Sequence, residues 1–321
     1  MRCASGYLQH RHGRRTDECA GHTRQRAITG LLSPVHITRR DFLRAAAATG
    51  LGTLVATGAA ATGVSAPLIG ARVKDIPWSR AATEIGPIRV TRLFYTVLPA
   101  LFTRGGIPEG VRLIVSYKQP SAHTASYVES IPPGSDVQMA FHHEPEGPTD
   151  YPGAPAVAGP RFVAAFQTEQ AAIAAANPTV PVAFIGGGYQ YTGGKSSSRG
   201  IGGHFIPPTA HYFYLDTYQP TTIVPAAESP SIVNFLAELR AKGARFNGFA
   251  EYGRGQSTAT MPIPESTVQA RIQVFGLDDA WLRSLPDVRI WCYWYTIGSS
   301  GDQWRMADTA SQAAWARIAA R

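Results

Sequence analysis

The chain has 321 residues, 44% of them hydrophobic and 16% charged, which is enough apolar material for a full core and excludes disorder at scale. Its formal net charge of +8 would suit a nucleic-acid or membrane surface, yet residues 1–66 hold nine of the 30 basic and three of the 22 acidic residues. The remainder carries only +2, so a nucleic-acid partner loses its main support.

The first segment reads as a leader. Thr38-Arg39-Arg40-Asp41-Phe42-Leu43-Arg44 is followed by an Ala/Gly/Thr/Leu/Val run to about Gly63, and then by Val64-Ser65-Ala66. This resembles a twin-arginine export signal, in which a small polar residue, two arginines, any residue, Phe, Leu and a basic residue precede a weakly apolar stretch. The resemblance implies cleavage after Ala66 and a secreted mature protein, residues 67–321, with no stable membrane anchor. A spanning helix is the competing reading, but so much Gly, Ala and Thr suits a signal better than an anchor. Residues 1–37 are Arg/His-rich, patternless and longer than a signal needs, so the translation start is expected nearer Val35. Sequencing the precursor's N-terminus tests this; a product beginning at Met1 refutes it. Cys3 and Cys19 lie in the leader, leaving Cys292 alone in the body and no disulfide within it.

Residues 67–321 have a usual length for one (β/α)8 barrel, and the segments alternate accordingly. Leu68–Val73 and Arg89–Val97 read as strands 1 and 2, joined by a short link containing Pro77 and Pro87. Val111–Lys118, β-branched and bounded by Gly110 and Pro120, is strand 3. A helix is expected over Ala122–Ser130 and strand 4 over Asp136–His142. A Pro/Gly-rich loop, Pro145–Pro160, leads to Arg161–Ala176, where Phe162, Ala165, Phe166, Ala172 and Ile173 recur at helical spacing and Glu169 interrupts the stripe. Strand 5 is Val180–Ile185, and the long loop Gly186–Ala210 is either a substrate-side loop or plain surface. Strand 6 is His211–Tyr218. Ser229 and Pro230 supply an N-cap and a first-turn proline for a helix through Lys242, which Gly243 ends. Strand 7 covers Phe246–Gly253, two short helices cover Pro264–Phe275 and Leu277–Ser284, strand 8 is Val288–Tyr295, and Asp302–Ala320 is the last helix. Eight strands alternating with helices predict an α/β fold, a single closed (β/α)8 TIM barrel rather than an open doubly wound sheet.

Two strand tips carry chemistry. Met139-Ala140-Phe141-His142-His143-Glu144-Pro145 runs apolar into two histidines and a carboxylate, and Pro145 breaks the strand there. Phe246-Asn247-Gly248-Phe249-Ala250-Glu251-Tyr252-Gly253 ends a second apolar segment in another carboxylate. The C-terminal tips of barrel strands are where this fold places its catalytic groups. No dinucleotide fingerprint, phosphate-cradling glycine loop, zinc-helix motif or nucleophile-elbow serine occurs.

With these motifs on the fourth and seventh strands, the chain resembles the clan-A retaining glycoside hydrolases, most closely family 26, whose best-known members are β-mannanases. His143-Glu144-Pro145 matches the family's acid/base motif, in which histidine precedes the glutamate. Ala250-Glu251-Tyr252-Gly253 is similar to its nucleophile motif, often Ser-Glu-Phe-Gly. The resemblance implies a secreted enzyme that cleaves β-linked polysaccharide, mannan first, with Glu144 as acid/base and Glu251 as nucleophile. A retaining mechanism needs one protonated and one ionised carboxyl about 5–5.5 Å apart. His143 and Tyr252 are expected to help hold those states apart.

Asp216 and Tyr218 at the end of strand 6, Lys118 at the end of strand 3 and Trp294 on strand 8 are expected to line a sugar-binding cleft. Strand alternation puts Trp291, Tyr293 and Tyr295 on one face, Cys292 and Trp294 on the other, and clan members commonly stack a sugar on a strand-8 tryptophan. Glu146 reads as solvated. Neighbouring strand residues face opposite ways, so His142 and His143 do not readily share an ion, and neither metal nor cofactor is expected. The expected partner is a polysaccharide or oligosaccharide substrate, and the protein is expected to be a monomer. Two alternatives stay open: a carbohydrate-binding or wall-associated barrel that has lost turnover, and an exported metal-dependent hydrolase.

Overall fold

The computed structural model describes residues 66–321 other than 75, 148, 193–201, 257–262 and 297–303. The twin-arginine motif and the apolar run after it lie outside the described residues. Eight strands follow one another along the chain: β1 Leu68–Val73, β2 Val90–Tyr95, β3 Arg112–Tyr117, β4 Val137–Phe141, β5 Ala183–Gly187, β6 Tyr212–Gln219, β7 Phe246–Arg254 and β8 Ile290–Tyr295. Pairing is parallel throughout, in the orders β1-β8-β7-β6-β5 and β2-β3-β4. Two seams join these sheets. At one, the amides of Met139 and Glu144 donate to the carbonyls of Pro181 (3.0 Å) and Ile185 (2.8 Å), tying β4 to β5. At the other, the Arg89 amide donates to Ile69 (3.0 Å) and the Thr91 hydroxyl to Ala71 (2.7 Å), tying β2 to β1. Neighbour follows neighbour around the ring, and the fold is the expected (β/α)8 barrel.

Among the described residues, six α-helices flank the strands: α1 Trp78–Ile85, α2 Thr124–Glu129, α3 Pro155–Ala176, α4 Pro230–Ala241, α5 Glu265–Ser284 and α6 Thr309–Ala319. Helix α1 is one the sequence reading missed in the link between Pro77 and Pro87. Residues 96–111, between β2 and β3, form no helix; Gly105, Gly106 and Gly110 all adopt positive φ there. Helix α3 starts at Pro155 rather than Arg161, because proline suits a first helical turn. The two short helices expected around Gly276 are one. Val274, Phe275, Asp278 and Leu282 are buried at helical spacing across that glycine, which itself faces outward; packing outweighs a propensity cost of about 1 kcal/mol.

The core has two layers. Between strands and helices, Phe162, Phe166, Phe249, Trp291 and Trp315 are fully buried. Glu169, the charge that broke the α3 stripe, is buried among them and accepts hydrogen bonds from Tyr117 (2.9 Å) and Thr124 (3.0 Å), so it satisfies two hydroxyls from β3 and α2. Inside the ring, Val90, Ile114, Ala140, Ile185, Tyr214 and Ile290 form a separate apolar layer. Above that layer, towards the C-terminal strand ends, the interior turns polar.

Candidate active site

Period-two alternation carries every second residue of a strand into the barrel. On β2 this sends Arg92 inward one step above Val90, on β3 Ser116 above Ile114, and on β6 Asp216 above Tyr214. Arg92 is the hub of this tier. It is fully buried, and its Nη1 donates to both Asp216 carboxylate oxygens (3.0 and 2.9 Å) and to Glu251, while Nε and Nη2 donate to the Ser116 hydroxyl (3.2 and 2.9 Å). The Tyr218 hydroxyl donates to the second oxygen of Glu251.

Glu251 reaches this tier only because β7 breaks the alternation. Phe249 pairs with Trp291 and Tyr252 with Tyr293, so Ala250 and Glu251 together oppose the single residue Cys292. Such a bulge inserts one residue and shifts the phase of the strand. Phe249 and Tyr252 both belong to the outer layer, while Ala250 lies in the inner one and Glu251 meets Arg92. Without the bulge, Glu251 would follow Phe249 outward. Just beyond it, Gly253 leaves room for two rings: a Cβ there would lie 2.6 Å from Trp304 and 2.7 Å from Tyr218.

The tip of β4 is bent in a comparable way. His142 and Glu144 have φ of 49° and 50°, the left-handed region that non-glycine residues seldom adopt. The turn sends His142 to the outer layer, where it packs on Tyr151 (centroids 4.9 Å apart) and lies 3.4 Å from Asp150. His143 faces the interior and meets Phe94 edge-on at 5.3 Å. The two histidines therefore diverge, and no group of three His, Cys, Asp or Glu side chains suited to a metal occurs among the described residues.

Four expected residues are thus gathered at one pole with Glu144: Glu251, Asp216, Tyr218 and His143. Trp294, near the C-terminal tip of β8, completes the rim with Phe94 (5.7 Å) and Tyr218 (6.4 Å). Three expectations need correction. Tyr252 is not in the site, because the bulge turns it outward to donate to Asp278 (2.5 Å) and pack on Trp291 and Trp315. Lys118 spends its ammonium group on the β4 tip, donating to the His143 carbonyl (2.7 Å) and to Asp150 (3.4 Å), so it holds the loop rather than a ligand. Glu146 is not solvated but completely buried, accepting from the Gly187 amide (3.2 Å) and the Tyr191 hydroxyl (3.0 Å). Sequence reasoning passed over Arg92, Ser116, Phe94 and Trp304. A charge in the middle of Val90-Thr91-Arg92-Leu93-Phe94 was the available signal for the first.

Burial pushes Glu144 up to about 8, and the charges of Asp216 and Glu146 add to this against Lys118 and Arg92. Burial pushes Glu251 well above the ordinary carboxylate range and also raises Asp216, with Arg92 opposing it in each. Hydrogen bonds decide which carboxyl keeps a proton. Glu251 accepts from Arg92 and Tyr218 and Asp216 accepts twice from Arg92, whereas Glu144 has no side-chain donor among the described residues. Donors favour the ionised form, and desolvation without donors favours the neutral one. The hydrogen bonds thus favour the proton on Glu144 and the charge on Glu251, against the burial that raises both. His143 is held well below its usual range by burial, then by Arg92 and Lys118, and is neutral. A cleft of about 380 Å³ opens at the other pole, near His211, Asn247 and Arg289, and neither Glu144 nor Glu251 lines it.

No family model matches the chain, and no curated protein does. Among solved structures it is similar to an endo-β-1,3-glucanase of glycoside hydrolase family 128 from Amycolatopsis mediterranei, at 10% identity over 78% of this chain and 98% of that one, with a TM-score of 0.49. It is similar to a curdlan-specific exo-β-1,3-glucanase of the same family from Blastomyces gilchristii, at 14% identity over 77% and 96%, TM-score 0.49. A xyloglucan-specific endo-β-1,4-glucanase of family 5 from a metagenomic library is also similar, at 11% identity over 74% and 86%, TM-score 0.46.

Proposed function

We propose that the chain is a retaining glycoside hydrolase for a β-linked polysaccharide, with mannan the first candidate from the resemblance of its two motifs to family 26. What supports this is the contrast between Glu144 and Glu251: two glutamates at one pole, the first with no side-chain donor among the described residues and pushed up to about 8, the second accepting from Arg92 and Tyr218, which favour its ionised form. That is the division of labour double displacement needs. Glu144 donates its proton to the leaving glycosidic oxygen as Glu251 attacks the anomeric carbon. Glu144, then ionised, takes a proton from the water that releases the sugar from Glu251. Neutral His143 and the aromatic rim of Phe94, Tyr218 and Trp294 offer a hydrogen-bonding edge and stacking faces to a pyranose. Export by the twin-arginine route belongs to the same proposal and suits an enzyme whose polymer lies outside the cell.

The test is reducing-end release by residues 67–321 from mannan, β-1,3-glucan, mixed-linkage glucan, xylan and arabinan, with Glu144→Gln and Glu251→Gln alongside. Release from one polymer, lost in both variants, is the expected result. Release that survives both variants would refute the assignment, and binding without release would favour a carbohydrate-binding barrel.

A further inference from the structure

Glu146 has no place in the mechanism above, yet it is a completely buried carboxyl two residues from Glu144. The β5 tip separates the two. A Cβ on Gly186 would lie 3.0 Å from a Glu146 oxygen and 3.1 Å from the Phe235 ring of α4, on the outer side. One on Gly187 would lie 3.2 Å from a Glu144 oxygen, on the inner side. Glycine at both positions lets the two carboxyls close on the same strand from opposite faces.

Glu146 is built in rather than stranded. The Gly187 amide donates to one oxygen (3.2 Å) and the Tyr191 hydroxyl to the other (3.0 Å), and Tyr191 is itself fixed by Asn234 of α4, which donates to its carbonyl (2.7 Å). The charged groups acting on Glu144 are Arg92 from β2, Lys118 from β3, Asp216 from β6, Glu251 from β7 and Glu146 itself; those acting on Glu146 include Asp216, with Tyr191 as its phenol neighbour.

We propose that Glu146 is a positioning residue whose carboxylate, fixed behind β5 by Tyr191 and Gly187, keeps the proton on Glu144. The proposal rests on reading Glu144 as the general acid. A negative charge buried beside a carboxyl disfavours a second one, and little water is present to screen them. Burial pushes Glu146 up to about 7, opposed by its backbone and Tyr191 hydrogen bonds, while Glu144 is pushed to about 8. Two donors hold Glu146, against no side-chain donor on Glu144 among the described residues, so Glu146 ionises first and holds the proton on its neighbour.

The experiment is a carbon-13 NMR titration of the resting protein labelled at glutamate carboxyls, comparing wild type, E144Q for assignment, E146Q and Y191F. A glutamine at 146 keeps the volume, its oxygen accepting from Gly187 and its amide donating to Tyr191. The Glu144 midpoint should fall by about one pH unit in E146Q, the scale at which neighbouring carboxyls interact. Y191F, which keeps the charge and removes a donor, should raise the Glu146 midpoint and serves if E146Q does not fold. A Glu144 midpoint that stays in place in E146Q, or a Glu146 midpoint that stays in place in Y191F, overturns the proposal. The titration needs no turnover, so it can fail while polysaccharide cleavage succeeds, or the reverse. In an active enzyme the alkaline limb of kcat/KM should move down with Glu144, whereas a purely structural role would lower activity without moving the limb.

Discussion

Replacing Arg92 by glutamine tests the polar tier at its hub. The guanidinium makes two contacts to Asp216, one to Glu251 and two to Ser116, all out of solvent. Glutamine keeps some volume but leaves two neighbouring carboxylates with no buried cation between them. Removing one partner of a buried ion pair costs about 3–5 kcal/mol, because the charge left behind has no compensation. At about 2–4 °C per kcal/mol for a domain of this size, the melting temperature should fall by roughly 10 °C at pH 7. The sign of the pH dependence follows from the same groups. Arg92 lowers the pKa of both Asp216 and Glu251, which burial raises, so its loss lets both rise further. A carboxyl whose folded pKa exceeds its unfolded one loses stability as pH rises through the interval between them. The gap between wild type and variant should therefore be full at neutral pH and close as pH falls towards about 4, where the unfolded carboxyls also protonate. Urea unfolding from pH 4 to 8 measures this. A gap below about 1 kcal/mol at pH 7, or one independent of pH, would refute the reasoning.

Tyr218→Phe removes one donor from Glu251 and little volume. A hydrogen bond to a charged group is worth about 1.5–3 kcal/mol, so kcat should fall at least about tenfold with the melting temperature nearly unchanged; an unaltered kcat would show that the phenol does no chemistry. Glu84 of α1 tests a clamp between α1 and the end of β8. Burial disfavours its charge, but donors from Tyr295, Arg80 and Arg305 outweigh this and hold it at about 2. A depressed carboxyl contributes stability above its unfolded pKa of about 4.3 and loses it as pH falls towards the folded value. Glu84→Gln should cost about 1–2 kcal/mol at pH 7 and roughly a quarter of that at pH 2.5, measured by thermal unfolding; an equal cost at both values would exclude the clamp.

The barrel was legible because its signals are local. β-branched runs bounded by Gly and Pro, such as Val111–Lys118, gave strands close to those observed, and plain alternation separated Trp294 from Trp291 onto opposite faces. Both glutamates were picked out as carboxylates ending apolar runs, at Pro145 and Gly253. What sequence could not show were the two places where alternation fails. The extra residue in β7 depends on its pairing with β6 and β8, and it exchanged the expected roles of the outer and inner faces at Tyr252. The left-handed His142 breaks the alternation at β4 as well, and leaves His143, the histidine expected in the site, facing the interior. Glu146 was misread because nothing in Pro145-Glu146-Gly147 announces burial; Gly187 and Tyr191, about 40 residues on, create it. Arg92 was overlooked although a lone charge within an apolar strand is a legible sign of a buried ionic tier.

The most direct measurement of the central claim is proton NMR of the first products released from the polymer that the panel identifies. Attack by Glu251 followed by water delivered from the Glu144 side predicts that the β-anomer accumulates first and only later mutarotates. Initial appearance of the α-anomer would mean single displacement by water, and would contradict Glu251 as nucleophile.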